Sequence, residues 1–265
     1  EVGHRALANA LSDLAAAGAE PLTFLVDIQL PRRLASRAQE LYQGMEELMK
    51  AFCISPAGGN ITRSERLGLT TVVIGEVPEG RLITRSGARP GDKVVLTGDV
   101  GRVRAWLLAE EMGVFKGYEP WLRRLKEKYA RPWPAIRVIQ QMKSEGLQIT
   151  AAIDVSDGLG MDAARLARAS EVQIVIYADR LPIDDAAKVL AERVRLEPWR
   201  VAVESGEECE VLMTVPPETA DELSRVSAPL TVIGEVVEDR PGAKLVANGK
   251  EIDLEGLGYD HFAVM

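Results

Sequence analysis

Two carboxylates, a hydroxyl and a glycine stand together in Asp154-Val155-Ser156-Asp157-Gly158. The apolar run before them (Ile149, Ala151, Ala152, Ile153) reads as a buried strand, and Leu159, Met161, Ala164, Leu166 and Ala167 after them fall into helical spacing. The cluster therefore belongs at a strand-to-helix turn. At such a turn the first helical amides lack partners, Asp157 or Ser156 can cap them, and Gly158 lets backbone approach a ligand closely. This is a place to hold phosphate or a hard cation, and equally an ordinary capped turn.

A second acidic position favours the cation. Ser12-Asp13 lies in the small-residue stretch Ala8 to Ala19, where Leu7, Ala10, Leu11, Leu14 and Ala15 repeat at helical spacing. An aspartate inside a helix is ordinarily solvated, but these alanines leave room for a neighbouring backbone or a ligand. Gly58-Gly59-Asn60 reads as a turn whose open backbone could admit phosphate. Arg85 opens the stretch Arg85 to Asp92, where a guanidinium could meet transferring phosphate charge. Glu204 to Glu210 holds four glutamates in seven residues, the composition of a solvated loop. His261 beside Phe262 reads as packing.

The elements that must carry these residues mix both periodicities. Strands are expected at 21–30, 51–55, 69–77, 93–97, 173–177, 211–215 and 230–237, with 82–84 briefly extended. Helices are expected at 5–17, 34–52, 103–111, 121–129, 135–143, 184–194 and in the segment ending at Val226. Glycine and proline in Arg85 to Asp92 interrupt both patterns, so two domains, 1–86 and 87–265, are expected. Val73-Ile74-Gly75-Glu76-Val77 and Val232-Ile233-Gly234-Glu235-Val236 echo each other, which agrees with two related halves.

The 265 residues can bury a sizeable core, and the formal net charge of −8 argues against nucleic acid as a partner. Cys53 and Cys209 are far apart with no metal-ligand spacing, so both are expected to be reduced core residues. No apolar run approaches the ~20 residues of a membrane span, and no signal peptide is visible. A cytoplasmic protein with no membrane partner is expected. The start at Glu1, directly in a helical pattern, suggests that the natural N-terminus lies further back.

Six stretches in order, NALSDLAAAGA (9–19), GGNITR (58–63), RSGARPGD (85–92), IDVSDGL (153–159), SGEECE (205–210) and GYDHF (258–262), resemble the thiamine-monophosphate kinase family across nearly the whole chain. Parts are also similar to aminoimidazole ribonucleotide synthetase, selenophosphate synthetase and hydrogenase-maturation proteins. The resemblance implies a mixed α/β fold in two domains like that of aminoimidazole ribonucleotide synthetase, with homodimer pairing through the N-terminal domain. ATP and Mg2+ would bind in a cleft near that interface, and the γ-phosphoryl of ATP would pass to thiamine monophosphate.

Carried over by position, Asp13, Asp154 and Asp157 would be magnesium ligands, the last two also catalytic. Ser156, Arg85 and the Gly58-Gly59-Asn60 run would contact ATP, while Glu207 and Tyr259 would hold the thiamine moiety. Asn60 stands where the family has aspartate, so its amide oxygen could coordinate the cation but brings no charge. Glu208 replaces the usual aspartate and Cys209 the usual tyrosine. The family's Gly-Asp-Asp motif, a further acidic segment and a substrate-binding histidine have no counterpart after Glu1, so the N-terminal domain is expected to be incomplete at its start. A non-catalytic relative that keeps nucleotide binding, or another ATP-dependent enzyme of the superfamily, is compatible with the same residues.

Overall fold

The computed structural model describes residues 1–113, 120–260 and 262. Alternation with period two builds its first sheet: along Glu20–Leu30 (β1), Phe24, Val26, Ile28 and Leu30 are buried while the residues between them are not. Ser55–Arg63 (β2) pairs with β1 in parallel and Gly68–Glu76 (β3) pairs with it antiparallel, giving the order β2-β1-β3. Val2–Ala17 (α1) ends at Gly18, whose φ of 66° is the left-handed closure glycine adopts readily. It packs on Ala38–Phe52 (α2) and lies between the two sheets, against β3 and the strands of the second sheet.

The second sheet has seven strands: Lys93–Thr97 (β4), Ala151–Asp154 (β5), Gln173–Tyr177 (β6), Val211–Val215 (β7), Leu230–Val237 (β8), Gly242–Ala247 (β9) and Lys250–Asp253 (β10). Their order is β10-β9-β6-β8-β4-β7-β5, antiparallel except for β6 with β9. Helices Arg102–Glu111 (α3), Pro120–Ala130 (α4), Ile136–Ser144 (α5), Leu159–Ala169 (α6), Asp185–Arg193 (α7), Pro198–Val203 (α8) and Pro217–Asp221 (α9) surround it. One core gathers residues of α1, β1, α2, α5, β4 and β7, so the two sheets share an interior. A second packs α6 against β5, β6, β8 and β9, and a third joins α3, α4 and α7.

Several expectations change. Gly58-Gly59-Asn60 is not a turn but the middle of β2, where Gly59 faces Val26 so closely that a Cβ would lie 2.1 Å from its carbonyl oxygen. Close backbone approach, rather than chain reversal, is why glycine stands there. Of residues 51–55 only Ser55, the start of β2, is strand: α2 runs through Phe52 and the chain reverses at Cys53, which is exposed rather than in the core. The segment at 82–84 forms no strand, although the Thr84 carbonyl accepts from Ala152 N. Residues 34–37 belong to a 3₁₀ turn ahead of α2, and the helix ending at Val226 is the short α9 followed by another 3₁₀ turn. Helix α8 and strands β9 and β10 had no sequence expectation.

The echoing pentapeptides lie in β3 and β8. In both, the glycine sits beside a register shift, Gly75 opposite Pro21 and Gly234 opposite Val94. A Cβ on Gly234 would come within 2.0 Å of the Val175 carbonyl oxygen. The repeat therefore places a bulge in each sheet. His261 lies outside the described residues.

Candidate functional site

A cavity of about 900 Å³ opens between α1, β3, the start of α3, the turn after β5 and the loop before β7. Its lining includes Asp13, Asp154, Ser156, Asp157, Glu207 and Tyr259. Gly58, Gly59 and Asn60 do not line it; they are exposed on the edge strand β2. Arg85 is also exposed and absent from the lining, yet its charge is near enough to oppose the upward shift of the Asp13 carboxyl, which desolvation causes.

Asp154 ends β5 almost fully buried. Burial, then the negative charges of Asp13 and Asp162, push its carboxyl up to about 7, and the nearby Ser12 hydroxyl only partly offsets this. Ser12 Oγ, itself buried on the cavity wall, is close enough to Asp154 to act on its carboxyl but lies outside full hydrogen-bonding geometry with any described group. Crowded carboxylates with an unpartnered hydroxyl are a donor set that suits a hard dication. Among the described residues, no three His, Cys, Asp or Glu side chains are gathered closely enough to enclose a metal by themselves. Magnesium commonly takes one or two carboxylates and completes its shell with phosphate and water, so these residues fit it.

The turn is built differently from the sequence expectation. Neither Ser156 nor Asp157 caps α6 with its side chain. Instead Asp162, within the first turn of α6, accepts on Oδ2 from the amides of Ser156 (2.9 Å), Asp157 (3.0 Å) and Gly158 (3.2 Å). Those amides are engaged and do not point freely at a phosphate. Asp157 projects its carboxylate to Arg165 at 2.5 Å, and its carbonyl accepts from Tyr259 N at 2.7 Å. A Cβ on Gly158 would come 3.0 Å from the Cα of Gly258, so the glycine lets the C-terminal segment close over the turn.

The glutamate-rich segment is not a solvated loop. Glu208 and Glu210 are buried, and the segment clasps the turn through Glu207 N to Ser156 O (2.8 Å), Glu208 N to Val155 O (3.1 Å) and Val155 N to Glu210 O (2.8 Å). Glu207 and Cys209 have φ of 52° and 55°, a conformation uncommon for residues with a side chain. Glu207 receives the Asn9 amide at 2.9 Å and an ion pair from Arg5, whose guanidinium also stacks on Tyr129. Cys209 donates to Asn9 Oδ1, and burial pushes its thiol up to about 12, which keeps it protonated and unreactive.

Comparisons follow this geometry. The chain is 32% identical to the thiamine-monophosphate kinase of Aquifex aeolicus over 98% of this chain and 81% of that protein. The chain belongs to the thiamine-monophosphate kinase family. It is also 32% identical to the Escherichia coli K12 thiamine-monophosphate kinase, covering 99% of this chain and 80% of that one. Among solved structures, AaThiL complexed with AMPPCP and TMP matches with a TM-score of 0.85 at 30% identity, over 99% of this chain and 82% of that chain. Family models for the N-terminal and C-terminal domains of AIR synthase related protein match residues 1–77 and 89–246. The mixed α/β fold expected from the motifs is thereby met.

Family membership was legible in motifs, whereas several positions that shape the cavity were not singled out. Asp162 lies three residues after Leu159 and four before Leu166, on the buried stripe of α6. Lys128 similarly follows buried Leu125 by three on α4. A charged residue on an apolar stripe was the available signal in both cases. Arg5, Thr70 and Thr71 carried no comparable pattern.

Proposed function

We propose that this chain transfers the γ-phosphoryl group of ATP to thiamine monophosphate, giving thiamine diphosphate and ADP. The observation that carries this reading is the convergence of Asp13, Asp154, Ser156, Asp157, Glu207 and Tyr259 on one cavity, in a chain of this family. The terminal phosphate oxygen of thiamine monophosphate forms a bond to the γ-phosphorus, and the bond from that phosphorus to the β-phosphate oxygen breaks. Such a transfer depends on positioning and charge neutralisation, and no protein nucleophile is needed.

Asp13, Asp154 and Asp157 would hold magnesium. The bound ion would supply positive charge to the phosphates. Ser156 and Arg85 orient ATP, the second from the mouth of the cavity near Asp13. Glu207 offers its carboxylate to the cationic thiazolium ring, and Tyr259 covers that end. Asp157 exchanges its Arg165 partner for the cation. The exposed Gly58-Gly59-Asn60 run belongs to the cleft near the subunit pairing rather than to the cavity of one chain.

We assign the division between domains to 86/87, where the first sheet has ended and the second has not begun. Pairing of two chains through the first domain is supported by the outward face of its sheet, where Leu25, Val72 and Ile74 are exposed together. Placement in the cytoplasm accords with ATP as co-substrate. Among the described residues no helix is long and apolar enough to cross a membrane.

The test is a turnover assay on protein from the complete reading frame, with ATP, magnesium and thiamine monophosphate, following thiamine diphosphate directly. Product is expected. Protein that binds neither ATP nor thiamine monophosphate sinks the reading.

A further inference from the structure

Among the described residues, Lys128 is the buried ammonium group of the network behind the cavity, with the Arg102 guanidinium close enough to act on the same Glu208 carboxyl. It is 7% exposed on α4, and its Nζ donates to Glu210 Oε1 at 2.6 Å. The other Glu210 oxygen accepts from Thr97 Oγ1 at 2.6 Å, and Thr97 Oγ1 in turn accepts from Val211 N. Glu208, fully buried, accepts on Oε1 from Gly101 N (2.8 Å), Val103 N (3.1 Å) and Ser205 Oγ (2.5 Å), so it closes the N-terminal end of α3. Burial raises its carboxyl, and the Lys128 charge opposes that rise.

These anchors grip one segment from behind. Glu208 and Glu210 point away from the cavity into the network, while Glu207 between Gly206 and Glu208 faces the cavity in a left-handed conformation. Without the ammonium, Glu210 would lose its ionic partner and Glu208 would keep its hydrogen bonds with only the Arg102 charge near it. The left-handed backbone that aims Glu207 would then lose its support from behind, although Asn9 and Arg5 still hold the Glu207 carboxylate. The adjacent turn has a separate support, since Asp162 holds the amides of Ser156, Asp157 and Gly158. The two walls of the cavity are thus held by different side chains.

We propose that Lys128 is a positioning residue that holds residues 205–210 in the shape that presents Glu207 to the cationic ring of the acceptor, while leaving the nucleotide side to Asp162. The assignment rests on the reading of Glu207 as an acceptor-binding residue. Lys128 itself touches no reacting atom.

The test compares wild type with Lys128→Met, Lys128→Arg and the double variant Lys128→Met/Glu210→Gln, the last keeping a foldable protein should the single charge removal unfold it. In steady-state kinetics, Lys128→Met or the double variant is expected to raise KM for thiamine monophosphate about tenfold. KM for ATP and kcat should stay within about twofold, and Lys128→Arg should recover most of the loss. Such a tenfold rise corresponds to about 1.4 kcal/mol.

Hydrogen exchange on the free proteins supplies a readout independent of turnover. The amides of Glu207 and Glu208 should exchange at least about tenfold faster without the ammonium, with those of Ser156 to Gly158 unchanged. Equal protection of both segments in wild type and variants overturns the proposal, as does a parallel rise in both KM values. A wild-type protein with no turnover would instead overturn the kinase reading, and the exchange result would still decide whether Lys128 holds the segment.

Discussion

Asp154 shows most directly how residue chemistry shapes the site. Its folded carboxyl titrates near 7, mainly from burial and then from Asp13 and Asp162, while an unfolded aspartate titrates near 4. A raised carboxyl stabilises the fold fully below the unfolded value and loses that contribution as pH rises through the folded one. A shift of about three units corresponds to ~4 kcal/mol. In chelator, wild type should therefore lose thermal stability between pH 4 and 8 relative to Asp154→Asn, and coincident curves would remove Asp154 as the source. His4 works in the opposite direction: burial lowers its imidazole, so its contribution is present above about 6.5 and lost as pH falls. Using the difference between the two proteins cancels the His4 effect.

The same residues carry the proposed catalysis. Asp154→Asn and Asp157→Ala should each lower turnover by about 10²-fold or more, because each removes charge that would hold the cation against the phosphates. Circular dichroism should show both variants folded, and unchanged turnover in both would discard their roles. Asp154 and Asp157 were legible because they follow an apolar run and precede a helical one. Asp162 was not, since an acid inside a helix is ordinarily solvated and only its partners, three loop amides, reveal its task. The glutamates misled for a related reason: composition reports how much charge a segment carries, whereas Lys128, far off in sequence, decides that Glu210 stays inside.

Among elements, the end of α6 organises the arginine turn. Ser170 Oγ accepts from Gly87 N and Ala88 N, both at 3.2 Å, and donates to the Arg85 carbonyl at 3.1 Å. One hydroxyl thus fixes the backbone on both sides of Ser86. Ser170→Ala should raise KM for ATP about fivefold, the worth of a hydrogen bond or so, and leave KM for thiamine monophosphate within twofold. An unchanged KM for ATP would show that the turn holds its shape without Ser170. Strands β6 and β7 were readable to the residue because each is a short apolar run buried on both faces, and β8 because it is a β-branched run. The edge strand β2 was not, because its Gly-Gly-Asn run has turn chemistry and only pairing with β1 makes it extended. Strands β9 and β10 were missed in a segment that opens at Pro241 and Gly242, where β9 is held by parallel pairing with β6 and β10 by antiparallel pairing with β9.

At the scale of the whole molecule, the exposed face of the first sheet carries the proposed pairing. Leu25 and Val72 are direct cross-strand partners, Ile74 lies on the same side, and all three are exposed. Wild type is expected to sediment as a dimer, and Val72→Asp with Ile74→Asp should shift it to monomer by burying charge in the pairing surface. A wild-type monomer at micromolar concentration would refute the pairing. Two family-model domains match the expected two-part organisation, but the shared interior was not legible, since it depends on α1 lying between the sheets. That placement of α1 also governs when the protein can become complete during synthesis. Asn9 meets Glu207 across 198 positions of chain. The first helix can pack on α2 and β3 soon after it is made, but the part of its face that meets the 205–210 segment must wait until about three-quarters of this sequence has followed. The cavity is therefore a late product of biosynthesis, closed only once the 205–210 segment has been made.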